Sequence, residues 1–246
     1  MTKQIEKRMD YIRYNGDLVV ISAILVLAGG LFSALTIGLF HLIGFEISRL
    51  YEQYIVICGV VSIPIVATYI IKNHAQITNK IAPIIANIFG PLVLLMLTIF
   101  LISLPFSGKN PFTDRNFLLI FNMLLIGVMA IIVFAVSETS KNQNQAFNKV
   151  VLTFLSIIAL IINTVALSAI LYRLSEYGFT PNRTAVFGVN LLLFIHLIWI
   201  AIRLFKVTFQ HKEILLVEDA VSRYLPVYLI WTLIVIVGFP LIFGLQ

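Results

Sequence analysis

Residues 148–205 read NKVVLTFLSIIALIINTVALSAILYRLSEYGFTPNRTAVFGVNLLLFIHLIWIAIRLF. Two apolar runs, 148–172 and 184–205, flank the polar segment RLSEYGFTPNR from Arg173 to Arg183. A hydrocarbon core about 30 Å thick is crossed by roughly 20 apolar residues in a helix, so each run is long enough to span. Gly178 can take the positive φ that ends a helix. Thr180 followed by Pro181 supplies an N-cap and a first-turn proline for the next one. The stretch therefore predicts two antiparallel spanning helices joined by a tight capped turn.

The rest of the chain repeats this pattern. Of its 246 residues, 60% are hydrophobic and 11% charged, against roughly 45–50% and about 25% in a soluble domain. Mean hydropathy is +1.02. Runs at 18–44, 53–72, 81–105, 115–137, 148–172, 184–205 and 224–245 are each of spanning length. Membrane β-strands would be about half as long and would alternate in polarity. The fold class is an all-α integral membrane protein of about seven transmembrane helices, in contact with the lipid bilayer throughout. The first run exceeds the 7–15 residues of a signal h-region and reads as a retained span. Cys58 stands alone in the second span, so no disulfide or metal-ligand spacing exists.

The net charge of +6 is a matter of topology. With the N-terminus inside, the inner side holds Lys3, Lys7, Arg8, Arg13, Lys72, Lys80, Lys141, Lys149, Arg203, Lys206, Lys212 and Arg223, and the outer side Arg49, Lys109, Arg115, Arg173 and Arg183. The positive-inside rule then predicts N-in, C-out, and no basic patch with interleaved aromatics points to nucleic acid. Residues 1–16 place Ile5, Met9 and Ile12 at helical spacing among basic residues, the pattern of a short amphipathic helix on the inner leaflet. The division expected is thus a cytoplasmic segment, 1–16, and a single transmembrane domain, 17–246. The connector Lys206–Arg223 reads as the longest loop. Gly30, Ala34 and Gly38 form a small-residue stripe suited to close packing within the bundle or between copies.

Chemistry is sparse. No carboxylate lies deep in a span, which argues against proton- or sodium-coupled transport. No HExxH, G-x-S-x-G or P-loop occurs, and no catalytic residue, cofactor or metal is expected. Pro64, Pro91 and Pro240 each remove a helical hydrogen bond, and Gly90-Pro91 frees the carbonyl of Asn87. Such a break either lines a substrate site or is a tolerated kink.

Four consecutive spans carry an asparagine: Asn87, Asn122, Asn163 and Asn190. At 1.5 Å per residue the last three fall roughly 10–15 Å below the outer surface. They form a polar layer that either serves a ligand or ties helices together. His196, mid-span, either relays a proton or ligand contact or stays neutral and donates to a carbonyl. In the hairpin, Glu176 near a helix C-terminus and Arg183 in a first turn each oppose their own helix dipole. Pairing with each other, or Glu176 with Arg173, would offset this.

The spacing Arg173-x-x-x-Tyr177-Gly178-x-Thr180-x-x-Arg183 between long apolar runs resembles the bacterial multi-pass membrane family catalogued as domain of unknown function 4153. The likeness is firmest over about 145–208. Thr184 stands where an aromatic commonly follows the arginine in that family. The resemblance implies the cytoplasmic membrane of a bacterium and carries over no catalytic residue. The functional expectation is a non-enzymatic accessory, sensing or assembly subunit acting through a protein partner or a homo-oligomer. The alternative is a small-solute transporter or channel with its site at Asn87, Gly90, Pro91 and the outer asparagines. A third, an intramembrane enzyme on lipid-linked substrates, needs a groove on which His196 or the two hairpin arginines converge.

Overall fold

The computed structural model describes residues 2–73, 81–112, 115–139 and 146–244. Lys80, Lys141 and the side chains of Lys3 and Arg115, four of the charges behind the N-in assignment, lie outside the described residues. Among the described residues there is no strand, and seven helices are long and apolar enough to cross a membrane. They are α1 (Thr2–Leu42), α2 (Ser48–Asn73), α3 (Ile81–Phe106), α4 (Arg115–Thr139), α5 (Ala146–Tyr177), α6 (Pro181–Phe209) and α7 (Leu215–Phe243). A helical chain is what hydrocarbon demands, because every backbone group then finds its partner within its own segment.

The chain divides into two compact units, Met1–Ile85 and Ala86–Gln246. In the first, α1 and α2 pack together, and the hydroxyls of Tyr14 and Thr68 meet at 3.2 Å. The N-terminal segment is helical, as its spacing predicts, but it is continuous with the first span over 41 residues. Nothing at Gly16 breaks it. At 1.5 Å per residue α1 is about 60 Å long, roughly twice the hydrocarbon thickness, so its basic first turns project beyond the bilayer core. At Gly30 the small-residue stripe seats no neighbour, since a Cβ there would meet nothing within 4 Å.

In the second unit α5 is the central helix, packed against α4 on one side and α6 on the other, with α7 against α6. The core is close-packed aliphatic and aromatic side chains, including Phe100 edge-on to Phe121 and Phe117 edge-on to Phe121. α3 runs unbroken through Gly90-Pro91, where a Cβ added to Gly90 would come into ordinary van der Waals contact with Ile131 and Val151. The helix is not unwound at the proline. Near Pro240 the helix adjusts differently. A single π turn, Ile234–Gly238, precedes it, closed by the Phe239 amide donating to the Ile234 carbonyl, which shifts the ladder by one residue where the proline has no N–H to give.

The expected long loop Lys206–Arg223 does not form. α6 continues to Phe209 and α7 begins at Leu215, leaving only 210–214 between them. The charges that mark this stretch as polar sit where helices favour them: Lys206 in the last turn of α6, Glu218 in the first turn of α7. Asp219 and Arg223, one turn apart, pair at 2.6 Å.

The α5–α6 connection follows its prediction closely. Gly178 has φ 72°, and its amide donates to the Leu174 carbonyl at 3.1 Å, a left-handed helix cap. Thr180 is extended at φ −128°, ψ 155°, and its hydroxyl accepts from the Arg183 amide at 3.4 Å. A Cβ on Gly178 would touch nothing within 4 Å, so the cost of adding one is torsional only. Gly178→Ala should therefore destabilise the protein by about 1–2 kcal/mol, read as a lower unfolding midpoint in mixed detergent micelles.

Candidate functional site

The hairpin holds its charges in a way the sequence does not reveal. Arg183 does not pair with Glu176. Its Nη1 donates to the carbonyls of Tyr177 at 2.8 Å and Gly178 at 3.1 Å, and the guanidinium lies 5.5 Å over the Tyr177 ring. These carbonyls end α5, where the macrodipole is negative, so a cation that opposes the dipole of its own helix neutralises that of its neighbour. Glu176 is exposed and makes no ion pair with Arg183 or Arg173. Arg173 turns to the segment before α4, its Nε donating to the Phe112 carbonyl at 3.2 Å. Phe112 in turn packs edge-on to Tyr172.

Both arginines line one cavity of about 440 Å³ at the hairpin end of the second unit, with Asn122, Thr180, Asn182 and Val186 among its other walls. That volume lies within the range of small-molecule sites. Three residues of the motif therefore meet at the cavity: Arg173, Thr180 and Arg183. Among the described residues, no Asp or Glu lines it. A guanidinium carries five N–H donors. The Nη1 hydrogens of Arg183 are used by backbone carbonyls, which leaves Nε and Nη2 without partners among the described residues.

Three of the four asparagines form a chain. Asn190 Nδ2 donates to Val186 O at 2.9 Å and to Asn122 Oδ1 at 2.8 Å, and Asn163 Nδ2 donates to Asn190 O at 3.2 Å. A backbone carbonyl only accepts, so the bond to Val186 fixes the Asn190 amide, and Asn122 must present its oxygen to Asn190. The Asn122 nitrogen is then its group left for a ligand. Asn163 is 0% and Asn190 1% exposed, and the Oδ1 of each has no partner. Asn87 is not part of this chain. It sits in the second turn of α3, at the end of the helix opposite to the hairpin side, with its own Oδ1 buried and unpartnered.

A second cavity, about 290 Å³, shares Asn122 and Val186 with the first and continues along α6 through Val189, Asn190 and Leu193 against Trp231, Thr232, Val235 and Ile236 of α7. Its wall is set by Gly188. A Cβ there would fall 1.9 Å from the Trp231 ring, so only glycine lets the indole lie against α6.

His196 belongs to neither cavity. Its ring is 1% exposed and stacks on Tyr224 at 4.3 Å and 18°. Its Nδ1 shares a 2.9 Å hydrogen bond with the Tyr228 hydroxyl. Tyr224 and Tyr228, Asn182, Phe112 and the Gly188–Trp231 contact are absent from the sequence-level site. The spacing of the two tyrosines by one helical turn is a signal that could have located a shared face; the other contacts leave no pattern in the chain. Comparison with known protein families, with curated proteins and with solved structures found no match.

Two outcomes follow for stability. Arg183→Gln, which removes two charge-assisted bonds, should cost about 1–2 kcal/mol, whereas Glu176→Gln should be neutral or slightly stabilising; equal losses in both variants would restore the ion-pair account. A double-mutant cycle of Asn122→Leu and Asn190→Leu should give a coupling of about 0.6 kcal/mol and no more than about 1.7, read by reversible unfolding in micelles.

Proposed function

We propose that this polytopic membrane protein binds an anionic ligand in the cavity beneath the α5–α6 hairpin, and that it works as a non-enzymatic accessory, sensing or assembly subunit through partners. One observation carries the reading: Arg173 and Arg183, from different helices, converge on a cavity of about 440 Å³ with no Asp or Glu among its described lining residues. The unused donors of Arg183 and the fixed amide of Asn122 add to its preference for an acceptor-rich ligand. A guanidinium on a partly desolvated wall suits phosphate or carboxylate oxygens in a planar, forked geometry.

Binding without catalysis is supported by what lines the cavity. Among the described residues it holds no His, Cys, Asp, Glu, Ser or Lys, the usual sources of a general base or nucleophile. The Thr180 hydroxyl is engaged as the α6 N-cap. Translocation is disfavoured by the unbroken α3 and by Asn163, which is sealed in the core. The charge balance of the loops supports an N-in orientation, which would place the hairpin on the face away from the cytoplasm. A bacterial cytoplasmic membrane is supported by the motif's resemblance alone.

The test is a titration of the detergent-purified protein with inorganic phosphate at low ionic strength, followed by thermal unfolding. Phosphate should stabilise the wild-type protein, and Arg173→Gln and Arg183→Gln should each weaken its affinity at least tenfold, about 1.4 kcal/mol. Arg183→Lys should recover only part of it, because a point charge replaces a fork. A shift of the same size in a double Arg→Gln variant would overturn the reading.

A further inference from the structure

The two cavities meet at Asn122 and Val186, and they differ in chemistry. The first is walled by guanidinium and amide groups. The second is apolar apart from the amides of Asn122 and Asn190, the indole of Trp231 and the hydroxyl of Thr232. Among its borders are Ile126 and Ile236, both exposed apolar side chains on spanning-length helices, so a bilayer around these helices would meet the groove at its edge. It follows α6 from Ala185 to Leu193. Measured from Arg183, Leu193 is ten residues along the helix, about 15 Å at 1.5 Å per residue. That is half of a hydrocarbon core about 30 Å thick, the depth of one leaflet.

We infer that the ligand is a phosphate-bearing membrane lipid of the hairpin-side leaflet, with its headgroup against Arg173 and Arg183 and one acyl chain in the α6–α7 groove beside Trp231. This rests on the anion reading of the first cavity and goes beyond it by naming what fills the second. A free anion would use only the polar cavity and would leave the groove to unselected lipid. A neutral or zwitterionic lipid would fill the groove without gain from the guanidiniums. An anionic lipid alone uses both, because its charge and its chain are joined at the depth where the cavities meet. Gly188 has a matching role, since its lack of a Cβ seats the indole that forms the groove's α7 wall.

Trp231 is the natural reporter, being one of only two tryptophans in the chain. The full chain carrying Trp199→Phe, in nanodiscs of phosphatidylcholine, is titrated with phosphatidylglycerol brominated on its acyl chains, and in parallel with brominated phosphatidylcholine. The expected result is quenching of Trp231 at a mole fraction at least tenfold lower for the anionic lipid. Arg183→Gln should abolish that preference. Val189→Phe, which fills the groove and leaves the arginines in place, should abolish the quenching at low mole fraction while phosphate still stabilises the protein. Should Trp199→Phe fail to fold, native mass spectrometry of the wild-type protein with the two unlabelled lipids reads the same selectivity. Equal quenching by both lipids, with phosphate still bound through the arginines, would overturn the lipid assignment and leave the anion site standing. If phosphate binding is also absent, both fall together. Binding of glycerol phosphate as tightly as phosphatidylglycerol would identify a soluble anion as the ligand and overturn the assignment as well.

Discussion

The contact between Arg183 and the last carbonyls of α5 governs most of what lies below it. Helix termini leave backbone groups without intrahelical partners, and near a membrane water satisfies them only at the surface. Arg183 supplies two of the missing donors from the first turn of the following helix. It closes the turn that Gly178 and Thr180 begin and fixes where α6 starts relative to where α5 stops. Seven residues further along α6, Asn190 then reaches both α4 and α5, donating to Asn122 and accepting from Asn163. The polar chain inside the unit is thus set in register by a capping interaction at its end.

The same contact explains why the cavity has the chemistry it has. A guanidinium paired with Glu176 would be electrically spent. Bound to neutral carbonyls, it keeps its full charge and is held by the macrodipole of α5, and its Nε and Nη2 stay unused by the described residues. Arg173 is positioned from the opposite side of the cavity by the Phe112 carbonyl. Both side chains are therefore oriented before any ligand arrives, which lowers the ordering cost of binding. Thr180 is part of the wall and also caps α6, its hydroxyl accepting from the Arg183 amide.

How much of this is legible in the chain depends on the kind of force involved. The spans were legible because length and hydropathy are one-dimensional properties, and the turn at Gly178–Thr180–Pro181 because each residue answers a local backbone need. The coplanar depth of Asn122, Asn163 and Asn190 followed from helical rise, and Asn87 stayed apart because α3 enters from the other side. Helix ends were misjudged where charge was taken for loop, as at Lys206 and Glu218, although those charges complement the dipoles of the helices that contain them. The Glu176–Arg183 pairing failed for a related reason. Counting side-chain charges omits the backbone carbonyls at the helix end, which accept from Arg183 and leave no trace in the sequence. Tyr228 as the partner of His196 and Gly188 as the seat of Trp231 are tertiary facts of the same sort.

One consequence concerns the unpaired amide oxygens of Asn163 and Asn190. Each is buried without a donor, a cost of about 1–3 kcal/mol per group in a protein interior. A layer evolved only to tie helices together would gain from replacing them by apolar side chains of similar shape. What the asparagines provide that leucines would not is an orientation. The bond from Asn190 turns the Asn122 amide so that its nitrogen is the end left over, at the junction of the two cavities. A donor there completes a wall whose other polar groups are guanidiniums. The buried chain is then best understood as a support that aims Asn122, its own imperfect hydrogen bonding offset by the fixed geometry it confers on the site above.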